Sequence, residues 1–232
     1  MKIQYIGHSC FLILGSKNII IDPWIESNPS NSSIKITDLP KIDYIITTHG
    51  HFDHIADVQT IYKKYNSQIW CNFELSNYFI SKGIQANGAY MGGKIKFEWG
   101  YIKFVPAFHG SSTPEGNYAG VATSVIIHID NTTIYHAGDT CLNAEMQLLP
   151  RYNIEIAMLP IGGTFTMDIE EAVEAVKIIQ PTYVIPMHYN TFEPIKADPY
   201  EFKTLVEQQT KTKCIILKSG EVFQKTTTTS ST

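Results

Sequence analysis

The sequence predicts an α/β domain in which short strands carry polar residues at their ends and capped helices enter between the later strands. Three features predict it. Runs rich in Ile, Val, Tyr and Phe recur along most of the chain and are broken by Gly, Asn and Asp. Two amphipathic stretches late in the sequence open with helix-capping residues. Asp22 and Asp139 each stand just past a strand-like run, "NIIIDP" and "TTIYHAGD", a hint of two similar α/β layers within one domain spanning residues 1–225.

Taken in order, "KIQYIGHSCFLILGSKNIIIDP" reads as a hairpin or three short strands, broken at Gly7 and at Gly15–Ser16. Residues 26–40, rich in Asn, Ser and Pro, form a loop placed to lie over a site. "DYIITT" is a buried strand, and "DHIADVQTIYKKY" has helical periodicity. "SQIWCN" is a strand, and "FELSNYFISKG" a helix with Gly83 at its C-terminal end. Four strands follow in "KIKFEW", "YIKFVPAFH", "VATSVIIHID" and "TTIYHAG". "DIEEAVEAVKIIQ" opens with Asp168 and Glu171 in capping-box spacing, and "TYVIPMHY" is the buried strand after it. "DPYEFKTLVEQQT" starts another helix with Asp198 as cap and Pro199 at the first position. "KCIILKSGEVFQ" gives two short strands around Ser219–Gly220, and the Thr/Ser tail, 226–232, is expected to be disordered.

With 232 residues, 44% of them hydrophobic and 17% charged, the composition is that of a soluble globular protein. Net charge is -4 and the only adjacent lysines are Lys63–Lys64, which argues against nucleic acid as the main partner. The apolar runs near the N-terminus are short and contain Gly7, Gly15 and Asp22, so they read as strands and not as a signal peptide. No run approaches the length of a membrane span. The four cysteines are scattered, which fits reduced thiols in a cytoplasmic protein better than a disulfide framework.

The densest chemistry lies in "THGHFDHIAD", residues 47–56, in a chain with only 8 His. Imidazole and carboxylate are natural ligands of borderline divalent metals. In an extended loop, residues two apart point the same way, so His49 and His51 can converge on one ion. Asp53 and His54, where the next helix begins, can turn toward a second. Further ligands must come from elsewhere, and His109, Asp139 and His188 each lie where a strand runs out into a loop. A carboxylate such as Asp139 can bridge two cations, which a histidine cannot readily do.

"THGHFDH", a lone later His, "HAGDT" and "MHY", in that order, resemble the metallo-β-lactamase superfamily over residues 1–220. "YIGHSCFLI" and "LPIGGTFTMD" look like its bacterial and archaeal metal-dependent hydrolases, near the lactonase-like and phosphodiesterase-like members. The resemblance implies a four-layer αβ/βα sandwich with two metal ions at one edge. It assigns His49, His51 and His109 to one ion, Asp53, His54 and His188 to the other, and Asp139 to both. It further implies metal-assisted hydrolysis, in which a water between the ions loses a proton near neutral pH and attacks a carbonyl or phosphoryl centre, with Asp53 and Asp139 as the catalytic carboxylates. Zinc is the first expectation, manganese the next, and Fe, Co or Ni also suit an N/O shell. The expected substrate is a small, anionic ester, lactone or phosphodiester.

Other residues carry two readings each. His8, in "GHSC", is either an ordinary hydrogen-bonded strand-end residue or a pocket-wall residue touching substrate or a ligand carboxylate. Asp22 corresponds to a family position that braces the histidine loop; its plainer role is to start a turn before Pro23. The Gly162–Gly163–Thr164 loop, running to Thr166, either presents N–H groups to an anion or merely connects. His128 and His136 read as structural, and Cys10 and Cys141 as inert thiols. Rivals of the same fold are an iron-dependent dioxygenase and a nuclease, the latter disfavoured by the lack of a basic arm. A non-catalytic metal-binding protein is the remaining rival. Exposed aromatics among the 13 Tyr are compatible with a homo-oligomer.

Overall fold

Alternation in the first strands fixes the layering. In β1 (Lys2–Gly7), β2 (Cys10–Leu14) and β3 (Asn18–Ile21), Ile3, Tyr5, Phe11, Ile13, Ile19 and Ile21 enter one core, while Ile6, Leu12 and Ile20 enter another. Successive side chains point to opposite faces, so a strand apolar at every position must be covered on both. The computed structural model describes residues 1–31 and 33–225, so the tail expected to be disordered lies outside the described residues.

β4 (Tyr44–Ile46), β5 (Gln68–Asn72), β6 (Ala86–Ala89) and β14 (Val222–Gln224) complete a seven-stranded sheet in the order β14-β1-β2-β3-β4-β5-β6. The second sheet has the order β13-β12-β11-β10-β9-β8-β7, built from β7 (Ile95–Phe97), β8 (Gly100–Pro106), β9 (Thr123–Ile129), β10 (Thr132–His136), β11 (Ile156–Pro160), β12 (Tyr183–Met187) and β13 (Lys213–Cys214). Each sheet is antiparallel on one side and parallel on the other, with the change at β3 and at β10. Asp22 and Asp139 follow those two strands, so the similarity between the halves has a structural basis.

Helices cover the outer faces. α1 (Phe52–Ile55), α2 (Val58–Tyr65) and α3 (Phe73–Ser81) belong to the first half, and Val58, Ile61, Leu75 and Phe79 pack with Leu12, Ile20 and Ile45. α4 (Ile169–Ile179) and α5 (Pro199–Gln209) serve the second sheet through Val173, Val176, Phe202 and Val206. Asp168 accepts the Glu171 N–H and Asp198 the Tyr200 N–H, as their cap spacing predicts. The result is the expected four-layer αβ/βα sandwich. Among the described residues no helix is long and apolar enough to cross a membrane.

Three elements differ from expectation. The helix read over residues 53–65 is two helices, because Asp57 leaves the helical path to accept N–H bonds from Ile25 and Glu26. β11 gave no periodic signal: all its residues are buried on both faces, and Ala, Met and Leu favour helix as readily as strand. β6, in "ANGA", carried no strand signal either; the two short C-terminal strands form as expected, β13 in the second sheet and β14 in the first.

Candidate metal centre

Strand ends deliver the polar residues to one edge of the sandwich. β3 ends before Asp22, β4 before the loop with His49 and His51, β8 before His109, β10 before Asp139, and β12 before His188. His8 lies in the turn joining β1 and β2. His8, Asp22 and His188 all adopt left-handed backbone, with φ of 56°, 46° and 54°. That conformation is costly for a residue with a Cβ and persists where surrounding contacts over-determine it. Gly138, at φ +59°, brings the chain so close to Thr48 that a Cβ would sit 2.9 Å from the Thr48 Cβ. At Gly162 a Cβ would run into the His188 carbonyl.

The seven side chains suggested by the motifs come together. Asp139 Oδ2 lies 3.0 Å from His188 Nε2, 3.5 Å from His109 Nε2 and 3.9 Å from His49 Nε2, and Asp139 Oδ1 lies 3.3 Å from His54 Nε2. Asp53 Oδ2 lies 3.9 Å from His54 Nε2, and His49 Nε2 is 3.0 Å from His51 Nδ1. The donor atoms fall into three overlapping groups: His49, His51 and His109; His49, His54 and Asp139; and His8, Asp53, His54 and His188.

Asp22 is wholly buried and sets the tautomers. Its carboxylate accepts the Thr48 N–H and hydroxyl, both at 2.7 Å, and the His54 Nδ1–H at 2.7 Å. The single Thr48 hydroxyl hydrogen is thereby used, so the 3.0 Å bond to His49 must be donated by His49 Nδ1–H. His49 then presents a bare Nε2 to the site and His54 turns its Nε2 there too, the arrangement by which a carboxylate prepares histidines for a metal. Thr48 was not singled out in the sequence, although it directly precedes His49.

His8 donates Nε2–H to Asp53 Oδ2 at 3.0 Å, and its Nδ1 accepts from Thr191 Oγ1 at 2.9 Å. Thr191 Oγ1 is in turn 2.6 Å from Ser30 Oγ, so the 26–40 loop does reach the site. Neither Thr191 nor Ser30 carried a sequence signal. At the other loop, the N–H groups of Gly163, Phe165, Thr166 and Met167 all bond within the chain, to Met167, Gly163, Gly163 and Thr140. The Gly163–Thr166 stretch therefore offers no cluster of free N–H groups, and Gly162 serves the close approach to His188. His136 donates to the Ser9 carbonyl and accepts from Gly138 N–H, and His128 bonds Thr133, so both are structural. Cys10 is buried.

The electrostatics ask for positive charge. Burial pushes His49, His51 and His109 below the ordinary imidazole value, most strongly His49. Burial would also lower His54, but Asp139, Asp22 and Asp53 overcome it and hold His54 well above that value. Burial would raise Asp139, yet the facing His188 and His54 keep it well below the carboxylate range. His54 Nε2, Asp139 Oδ1 and His188 Nδ1 are nevertheless buried without hydrogen-bond partners. Such orphans are rare unless an ion or water completes them. An N/O set with atoms aimed at common points fits divalent cations of the zinc type.

The comparisons agree with this chemistry. The family model described as the beta-lactamase superfamily domain matches residues 2–188. A UPF0173 metal-dependent hydrolase of Staphylothermus marinus is 46% identical over 95% of this chain and 97% of its own length. Another, from Pyrococcus furiosus, is 44% identical over 97% and 99%. The solved structure of Igni18, a metallo hydrolase of Ignicoccus hospitalis, superimposes with a TM-score of 0.88 at 39% identity, covering 97% of this chain and 99% of that one. With the fold, the edge site and these relatives in agreement, the chain belongs to the beta-lactamase superfamily and is one of its metal-dependent hydrolases.

Proposed function

We propose that the chain holds two divalent ions and hydrolyses a small anionic ester, lactone or phosphodiester. His49, His51 and His109 would hold one ion, Asp53, His54 and His188 the other, and Asp139 would face both. The observation that carries this reading is the middle of the site. There His54 Nε2 and Asp139 Oδ1, both buried and without hydrogen bonds, stand between the two histidine groups. Bound ions supply Lewis acidity and bring the pKa of water toward neutrality.

The chain's own residues do the rest. Asp22 and Thr48 fix the tautomers of His54 and His49, and His8 holds one oxygen of Asp53. Asp53 orients the attacking water or accepts its proton. Two divalent ions set against Asp22, Asp53 and Asp139 leave the site net positive, which supports an anionic substrate. His51 and His109 are only partly buried, so substrate arrives on their side, past exposed Phe52 and Phe108. The N/O donor set supports zinc first, with Mn, Fe, Co or Ni as alternatives. Four free cysteines, three of them buried, support a cytoplasmic setting.

The test is metal content of protein purified without chelator, alongside turnover of bis(p-nitrophenyl) phosphate and a lactone panel. The expected result is two ions per chain, with turnover lost in Asp139→Ala. One iron per chain, oxygen uptake and no hydrolysis would point to the dioxygenase reading. No metal after loading with zinc or manganese would remove the centre itself.

A further inference from the structure

A second site lies away from the metal edge, between β8 and the short turns Ala144–Leu148 and Pro150–Tyr152. It is a cavity of about 270 Å³ with apolar walls that include Val105, Met146 and Leu149. Lys103 also lines it. Its backbone is fixed in the sheet opposite Ile126, and the residue is only 9% exposed. Among the described residues its ammonium has no hydrogen bond and no carboxylate within 4 Å, and the Tyr152 ring lies 5.9 Å from Nζ. Its four-carbon stem is covered while the ammonium keeps contact with solvent, as a long cationic side chain without a carboxylate partner does. Glu145 and Arg151 line the same cavity and are exposed, so with Lys103 the lining carries a net positive charge.

We propose that this cavity binds a small amphiphilic monocarboxylate, with its apolar body against Met146 and Leu149 and its carboxylate on Lys103. The charge count selects the class. Lys103 and Arg151 set against Glu145 leave one positive charge, which suits a single negative charge, whereas a phosphate dianion would need more donors than this lining supplies. An uncharged apolar molecule would fill the space and leave Lys103 unpaired. The site is separate from the proposed hydrolytic centre, but its walls continue into it. β8 leads from Pro106 to His109, and the Ala144–Leu148 turn follows the Asp139 loop. Phe108 N–H donates to Thr140 Oγ1 at 3.0 Å, tying the two segments together.

Calorimetric titration of the full chain with octanoate and with 1-octanol tests this, since the pair shares a tail and differs in the head group. Octanoate is expected to bind about tenfold tighter than octanol, a preference that Lys103→Met reduces to within about twofold. Leu148→Trp, at a position 46% exposed beside the cavity, fills the space without touching the charge and should weaken both ligands. It also serves as the control if Lys103→Met does not fold. Equal affinity for acid and alcohol, no binding of either, or octanoate binding that survives both variants would overturn the assignment. The last outcome would place the carboxylate elsewhere, the metal centre included.

Discussion

The two halves of the metal centre are built differently. His49, His51 and His109 form an open half, with His51 and His109 partly exposed and no carboxylate of their own. Asp53, His54 and His188 form a closed half, with His54 fully buried and His188 3% exposed, backed by Asp22, His8 and Thr191. Open-half imidazoles are pushed down by burial and stay neutral, ready to donate. In the closed half three carboxylates pull His54 the other way. The closed half is therefore the one with excess negative charge and outer support, and it should hold its ion more tightly. The open half faces solvent, so on the proposed reading exchange and substrate arrival would be cheaper there.

The largest effects come from removing a ligand on either side. His188→Ala should abolish the tighter class of metal site and His51→Ala the weaker, each lowering turnover about a thousandfold, ~4 kcal/mol of transition-state stabilisation. Titration with zinc in metal buffers separates the two steps. If His51→Ala removed the tight step, or both variants lost both ions together, the asymmetry would be wrong. Asp22→Asn is the next largest. It removes the charge that fixes His54 while touching no proposed ion, and should weaken the closed half by roughly 10–100-fold. The open half should change far less, because His49 reaches Asp22 only through Thr48.

The open half was the easier to read from sequence. His49 and His51 share one short motif, and His109 stands alone after a strand, so spacing and residue type sufficed. The seven residues that cluster at the sheet edge and the layered fold were legible because strand ends leave a polar signature against apolar runs. The support behind both halves was not. Thr191 and Ser30 are 161 residues apart and meet only through the tertiary fold. Thr48 looks like any strand-end threonine until Asp22 is seen to accept from it twice. β11 was silent because burial on both faces erases alternation, and Lys103 sits in "YIKFVP" like any lysine in an exposed strand position.

Proton coupling gives a sharper test with a smaller effect. His54 is held well above its ordinary value, so the metal-free chain carries a proton there at neutral pH, and an ion must displace it. Affinity of the closed half should therefore rise with pH, by about tenfold per unit while His54 remains protonated. The open-half imidazoles are already neutral, so its affinity should stay nearly flat through the same range. Calorimetry in buffers of different ionisation enthalpy reads the released proton directly. Proton release from the weaker step alone would reverse the assignment of the two halves.

The smallest expected effect tests whether His8 is a ligand or a brace. Its Nε2 is close enough to Asp53, His54 and His188 to join them around an ion. Yet an ionised Asp53 can only accept, so the 3.0 Å bond places a hydrogen on His8 Nε2, and burial pushes His8 down to about 4 against the opposing Asp53 bond. The ring is thus neutral, its Nδ1 engaged by Thr191, and its face lies 4.1 Å from the His188 ring. A neutral donor to a ligand carboxylate is a positioning residue, worth about 1 kcal/mol or roughly fivefold in affinity of the closed half. His8→Gln retains an N–H donor and should restore most of what His8→Leu loses, with two ions still bound in both variants. A ligand would behave otherwise: His8→Leu would lose a whole equivalent of metal, and glutamine would not return it.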